Sequence, residues 1–293
     1  MANVTRFARW VVAAMIGAFL LGVMVSTAQT YKRRSDLLQR EETGRCCECF
    51  SLFARRANFF SSRHSVPQFA YDWVGRNRVR PLEPLTYAHL SIDSDDDVRV
   101  LLPETELSHI TVVGDGEICT DNLLSHLIAL PRLQELTICN VPITNRGVKL
   151  LSQFPRLKSL IVECSEAPSP GLEQLSQLTQ LEELRLIDER CPISEEVCRQ
   201  IAAMPNLRRL VLISSIPPQA GFETITRSET LERVSFGRTA NPLTIANARR
   251  LAGMKSIKFV DVHNSELSTE VGDFLKQAGL LEKEEELVGL PPT

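Results

Sequence analysis

The constraint that bears hardest on this chain is a recurrence. The aliphatic pattern L-x-x-L-x-L returns seven times, as Leu107-Ile110-Val112, Leu133-Leu136-Ile138, Leu157-Leu160-Val162, Leu181-Leu184-Leu186, Leu207-Leu210-Leu212, Leu231-Val234-Phe236 and Ile257-Val260-Val262. Successive first positions lie 26, 24, 24, 26, 24 and 26 residues apart. So narrow a period marks an array of structural repeats. Aromatic residues make up 6% of the chain, so a core built on this pattern is aliphatic.

Each unit reads as one coil. Within L-x-L the apolar residues alternate, which places both on one side of a short strand. About ten residues later a second apolar set appears at helical spacing: Val148, Leu150 and Leu151, then Leu172 and Leu175, then Val197 and Ile201. Residues suited to opening a helix precede these sets, namely Thr120-Asp121, Thr144-Asn145, and Ser194 followed by Glu195-Glu196. Pro131, Pro155 and Pro205 then break the helix two residues before the next leucine. One coil cannot bury its own aliphatic face, but stacked coils bury each other's. A fully buried Leu, Ile or Val contributes roughly 1.5–3 kcal/mol, enough to offset ordering entropy only when neighbours are present. Leu90 and Ile92, 20 residues ahead of Ile110 and Val112, predict a capping strand before the first full coil.

With that register in place, residues 105–280 resemble a leucine-rich-repeat domain. The form LQELTICNVPITNRGVKLL is similar to the ribonuclease-inhibitor-like and cysteine-containing-like repeats written L-x-x-L-x-L-x-x-T-x-I-T-D-x-G-L-x-x-L. Leu133, Leu136, Ile138, Ile143, Thr144, Gly147 and Val148 occupy the matching positions. Gly171 and Gly221 recur where Gly147 stands, whereas Val141 replaces the first Thr, Asn145 replaces Asp, and the last two units lose the glycine. The resemblance implies an α/β solenoid, a curved parallel sheet with short helices on its convex side. It also implies a non-catalytic module that binds a protein or peptide on the concave face.

The chain before the repeats divides by charge. Residues 1–9 form a basic flank holding Arg6 and Arg9. Residues 10–31, WVVAAMIGAFLLGVMVSTAQTY, carry no charge over 22 positions. As a helix they would span roughly 33 Å, about the thickness of a bilayer's hydrocarbon layer. A retained single-pass anchor is the expectation, because the stretch exceeds a usual signal core and a basic KRR follows at once. A cleaved signal peptide, with Ser26-Thr27-Ala28 before the cut, is the alternative and would release a secreted soluble binder. Residues 32–84 form a basic juxtamembrane and capping region, with 11 Lys and Arg against 5 Asp and Glu over 32–80. Trp73, Arg76 and Leu90-Ser91-Ile92 resemble elements of membrane-anchored bacterial leucine-rich-repeat proteins, which points to an inner-membrane location. The repeat domain is expected over 85–280 and an acidic tail over 281–293.

Residues 81–293 hold 20 Lys and Arg against 31 Asp and Glu, an acidic balance that argues against nucleic acid as the partner. No phosphate-binding loop, dinucleotide fingerprint, zincin helix or nucleophile elbow occurs in the sequence, and no cofactor is expected. Cys46, Cys47 and Cys49, with His64 as a conceivable fourth ligand, form the one constellation with metal or thiol chemistry. Zinc sites usually come as two spaced pairs, which weighs against that use. Cys119, Cys139, Cys164, Cys191 and Cys198 are scattered through the repeats and read as buried free thiols.

Surface recognition remains. Between the last two apolar positions of each unit stand Thr111, Thr137, Ile161, Arg185, Val211, Ser235 and Asp261. They are flanked by Glu135, Lys158, Glu182, Glu183, Arg208, Arg209, Glu232, Arg233 and Lys258. A ladder of alternating charge fits a polar protein or peptide better than an apolar small molecule; a merely soluble face is the plainer account. Arg185, Arg208 and Arg209 are the expected anchors, since arginine is enriched at interface hot spots. Glu183, Lys158, Arg233, Lys258 and Asp261 are the expected supporting contacts.

Overall fold

The computed structural model describes residues 85–281, apart from 115–117, 164–169, 188–192, 214–216, 238–242 and 264–266, together with Ala28, Gln29 and Lys32. The expected membrane span, the juxtamembrane region and the acidic tail otherwise lie outside the described residues. Among those residues no helix is long and apolar enough to cross a membrane. The chain divides after Tyr87 into two units, and the second holds the repeats.

Eight strands form one sheet in chain order: β1 Tyr87–Ser91, β2 His109–Val113, β3 Glu135–Cys139, β4 Ser159–Glu163, β5 Glu183–Ile187, β6 Arg209–Ile213, β7 Arg233–Gly237 and β8 Phe259–His263. From β2 onward every neighbouring pair is parallel. The repeat register is the sheet register. Ile110, Leu136, Leu160, Leu184, Leu210, Val234 and Val260 stand side by side, and so do Val112, Ile138, Val162, Leu186, Leu212, Phe236 and Val262.

Leu107, Leu133, Leu157, Leu181, Leu207 and Leu231 are buried in a third line. Ile257 and Val262, expected in the same spine, are only half-buried. Ile257 precedes the last strand of the sheet and Val262 lies within it. β1 also deviates slightly from expectation: Ala88 and Leu90 point inward within it, while Ile92, also buried, follows the strand.

Helical segments complete the coils: α1 Asn122–Leu127, α2 Asn145–Leu151, α3 Glu195–Ala202, α4 Gln219–Ile225, α5 Ile245–Ala252 and α6 Thr269–Gln277, with 3-10 helices at Asp95–Leu101 and Pro170–Gln177. Two of the expected caps, Thr144 and Ser194, act as such, whereas at α1 the cap residue is Asp121 and its side chain makes no capping bond. Thr144 accepts from Arg146 N, Ser194 from Val197 N, and Thr120 from Asn122 N. The unit expected to form an α-helix at Leu172 and Leu175 is instead the second 3-10 helix. It is kinked at Gln174, whose backbone leaves the helical region, and Leu172 before the kink is only half-buried whereas Leu175 after it is buried.

A further buried row precedes the turns: Leu130, Phe154, Leu178, Met204, Met254 and Leu280. Ser228 takes that place in one coil, and its hydroxyl accepts from Thr230 N and Leu231 N, each at 3.4 Å. A buried polar group that finds backbone donors is tolerated in an apolar row.

The first coils are also tied by side chains. The Asp95 carboxylate accepts from Thr120 N at 2.7 Å and from its hydroxyl at 2.6 Å. One coil later, Asp121 accepts from Thr144 N at 3.0 Å, from Gly147 N at 3.1 Å, and from the Thr144 hydroxyl. The recurring glycines follow from this proximity. A Cβ on Gly147 would collide with the Asp121 carboxylate, and one on Gly171 with the Thr144 carbonyl. Gly171 N meanwhile donates to Ile143 O at 2.9 Å.

Gly272, inside α6, has nothing within 4 Å of the place a Cβ would take. We therefore expect Gly147→Ala and Gly171→Ala each to cost about 1–3 kcal/mol by overpacking. Gly272→Ala should be neutral or stabilising by up to about 1 kcal/mol. Denaturation midpoints of the three variants check this, and an equal shift in all three would contradict the close-approach account.

Candidate functional site

Side chains alternate along a strand, so the residues between the core positions share the helix-free face of the sheet. The register arranges them in three rows. The first is His109, Glu135, Ser159, Glu183, Arg209, Arg233 and Phe259; the second is Thr111, Thr137, Ile161, Arg185, Val211, Ser235 and Asp261; the third is Val113, Cys139, Glu163, Ile187, Ile213 and Gly237.

The expected solvent-facing ladder holds over only part of this face. Thr111, Thr137, Ile161 and Ser235 are buried, as are Ser159, Cys139 and Glu163. With strands about 4.8 Å apart, short side chains such as Thr and Ser sink below longer neighbours. On β5 and β6 the face opens. Arg185, Ile187, Val211 and Ile213 are half-buried there.

Three of the predicted residues meet in this opening. The Glu183 carboxylate accepts from Arg185 Nε at 2.6 Å and from Arg209 Nη1 at 3.3 Å. Glu183 is the least exposed of the three, its side chain 16% accessible against 36% and 44% for the arginines. Pairs this exposed add little stability; their effect is to fix the two guanidiniums beside one another. Arg233, next to Arg209 in the first row, holds its guanidinium 4.9 Å from the centroid of the Phe259 ring, within cation–π range.

The other predicted charges do not join this group. Lys158, Glu182, Arg208, Glu232 and Lys258 stand one position before the strands, where their backbones step from coil to coil. Lys158 Nζ donates to Glu182 at 2.7 Å, and Glu232 receives Arg208 at 3.4 Å and Lys258 at 2.7 Å. The Lys258 hydrogen bond holds the Glu232 carboxyl below its usual range. Arg208, expected as an anchor, is thus paired within its own ladder. Asp261 lies half-buried in β8 opposite Ser235.

Ile187 and Ile213 were not singled out from the sequence. The signal was available, since the position after the second core residue of each L-x-L must face away from the helices. Phe259 was missed for the matching reason at the first row.

Among the described residues no group of three His, Cys, Asp or Glu side chains is placed to hold a metal ion. Cys46, Cys47, Cys49 and His64 lie outside those residues, as do Cys164 and Cys191. Cys119, Cys139 and Cys198 are buried thiols outside any disulfide. Cys119 Sγ donates to Ile92 O at 3.6 Å and Cys139 Sγ to Glu163 Oε2 at 3.3 Å. Burial pushes the Cys198 thiol from 9.0 up to about 11.

No protein-family model matches the sequence, and no curated protein matches it. Among solved structures the chain is similar to three leucine-rich-repeat proteins. The crystallised TLR13–ssRNA13 complex matches at 16% identity over 66% of this chain and 31% of that one, with a TM-score of 0.42. This chain therefore spans under a third of that structure's length. Human 5T4, a trophoblast glycoprotein, matches at 18% identity over 68% of this chain and 78% of its own, with a TM-score of 0.43. An internalin from Listeria monocytogenes matches at 16% identity over 69% and 60%, with a TM-score of 0.38. The architecture itself, a parallel strand-and-helix solenoid of leucine-rich-repeat form, rests on the sheet register.

At pH 8 we expect Cys119, Cys139 and Cys198 to resist a thiol reagent in the folded protein and to react once it is unfolded, as read by peptide mapping of the label. Labelling of all three in the native protein would contradict their burial. Because the folded state holds the Cys198 proton longer than the unfolded one, its contribution to stability is present below pH 9.0. It is lost as pH rises towards about 11.

Proposed function

We propose that the protein is a non-catalytic interaction module that docks a protein or peptide on the helix-free face of its repeat sheet, centred on β5 and β6. One observation carries this reading. Ile187, Val211 and Ile213 are half-exposed aliphatic side chains on a strand face, grouped around the fixed Arg185–Glu183–Arg209 set. A contiguous apolar patch rimmed by polar groups marks an interaction surface, and a buried centre within a charged border is ordinary interface anatomy. The uncharged stretch 10–31 supports a further element of the reading, a single membrane anchor that presents this face near a bilayer.

Crosslinking in intact cells, followed by alkaline carbonate fractionation, tests both elements. The wild-type chain should stay in the bilayer fraction and carry a specific partner. Val211→Asp, with unchanged thermal unfolding, should lose that partner. Release of the protein by carbonate would remove the anchor. A partner retained equally by the variant, or none for either, would remove the docking face.

A further inference from the structure

The docking face has a chemistry of its own, and a ligand class drawn from that chemistry rests on the proposed docking role. Two guanidiniums share one carboxylate at its centre. Arg185 uses Nε and Arg209 uses Nη1 on Glu183, and among the described residues neither makes another ion pair. A guanidinium presents five donors in a planar fork, so both keep most of their donors available. The set carries an uncompensated positive charge, on residues 81–293 that are acidic as a whole. A local cluster in an acidic field is poorly suited to a long polyanion, which the surroundings repel. It suits a short acidic group brought close.

The aliphatic neighbours narrow the partner further. Arg185 stands between Ile161 and Val211 in its row, with Ile187 two residues on along β5 and Ile213 beside that. A bare phosphate would leave these side chains unused, whereas a peptide carrying a carboxylate next to aliphatic side chains would cover them. We propose that Arg185 and Arg209 recognise an acidic peptide segment of a partner protein. A Glu or Asp carboxylate accepts from the guanidinium donors that Glu183 leaves open, and flanking aliphatic side chains lie on Ile187, Val211 and Ile213.

The probe is a fluorescein-labelled peptide of alternating glutamate and leucine, titrated with the full-length protein and read by anisotropy. A peptide with lysine in place of glutamate is the control. Saturable binding of the acidic peptide alone is expected, weakening as salt rises. Arg185→Glu and Arg209→Glu should each weaken it about tenfold or more, the loss of a charge-assisted hydrogen bond. Arg208→Glu, in the neighbouring ladder, should leave it within about twofold, since exposed pairs contribute little.

Thermal unfolding of each variant separates lost binding from lost fold, and Arg185→Lys, which keeps charge but not the fork, should bind more weakly than wild type. No saturable binding, equal binding of the lysine peptide, equal loss with Arg208→Glu, or complete displacement by millimolar inorganic phosphate would each overturn the proposal. Should the peptide fail while Val211→Asp still abolishes partner crosslinking, the docking face stands and its acidic specificity falls.

Discussion

The fold depends on the contact between equivalent aliphatic side chains of successive coils. Leu136 lies beside Leu160, and Leu160 beside Leu184, each fully buried. A single coil of strand, turn and short helix leaves these residues half in water; its neighbours on both sides close them off. Stability in such an array is a sum of unit terms and nearest-neighbour interfaces. At the last strand of the described sheet, burial weakens, and Ile257 and Val262 are only half-buried. Where two coils approach most closely, side chains have been reduced to glycine, at Gly147 and Gly171. The carboxylates of Asp95 and Asp121 each bridge to the next coil, at Thr120 and Thr144.

The same stacking frees the other face. Because the core consumes alternate positions of every strand, the remaining positions are relieved of folding duty and lie in rows set by the sheet register. On β5 and β6 those rows hold aliphatic side chains around two arginines clamped by one carboxylate. The clamp matters more for geometry than for stability. A flexible arginine loses side-chain freedom when it binds, and one already held by Glu183 loses less. The charges of Lys158, Glu182, Arg208, Glu232 and Lys258 pair with one another across the coils and stand one position before the strands, so they border the face rather than forming its centre.

The strands and their register were legible in the sequence because a two-residue alternation fixed to a constant period leaves one arrangement. The starts of α2 and α3 were legible for a similarly local reason, the Thr144 and Ser194 side chains that cap the first turn. The segment Pro170–Gln177 was not, because leucines three residues apart, Leu172 and Leu175, suit either an α-helical or a 3-10 turn. Gly171 approaching the Thr144 carbonyl is a contact between coils that no window contains. The site was half legible. Arg185, Arg209 and Glu183 were marked by type, but that they converge while Arg208 turns to Glu232 depends on row position. Burial of Thr111, Thr137 and Ile161 depends on neighbouring rows and stayed hidden.

The most direct measurement of the central claim is a double-mutant cycle along the aliphatic spine. Leu160→Ala and Leu184→Ala should each cost about 2–5 kcal/mol. Combined, they should depart from additivity by about 0.5 kcal/mol or more, because each lines the other's cavity. Leu136→Ala and Val260→Ala, five strands apart, should add within about 0.5 kcal/mol. If Leu160 and Leu184 prove as independent of each other as Leu136 and Val260, the coils do not share a core and the solenoid account fails.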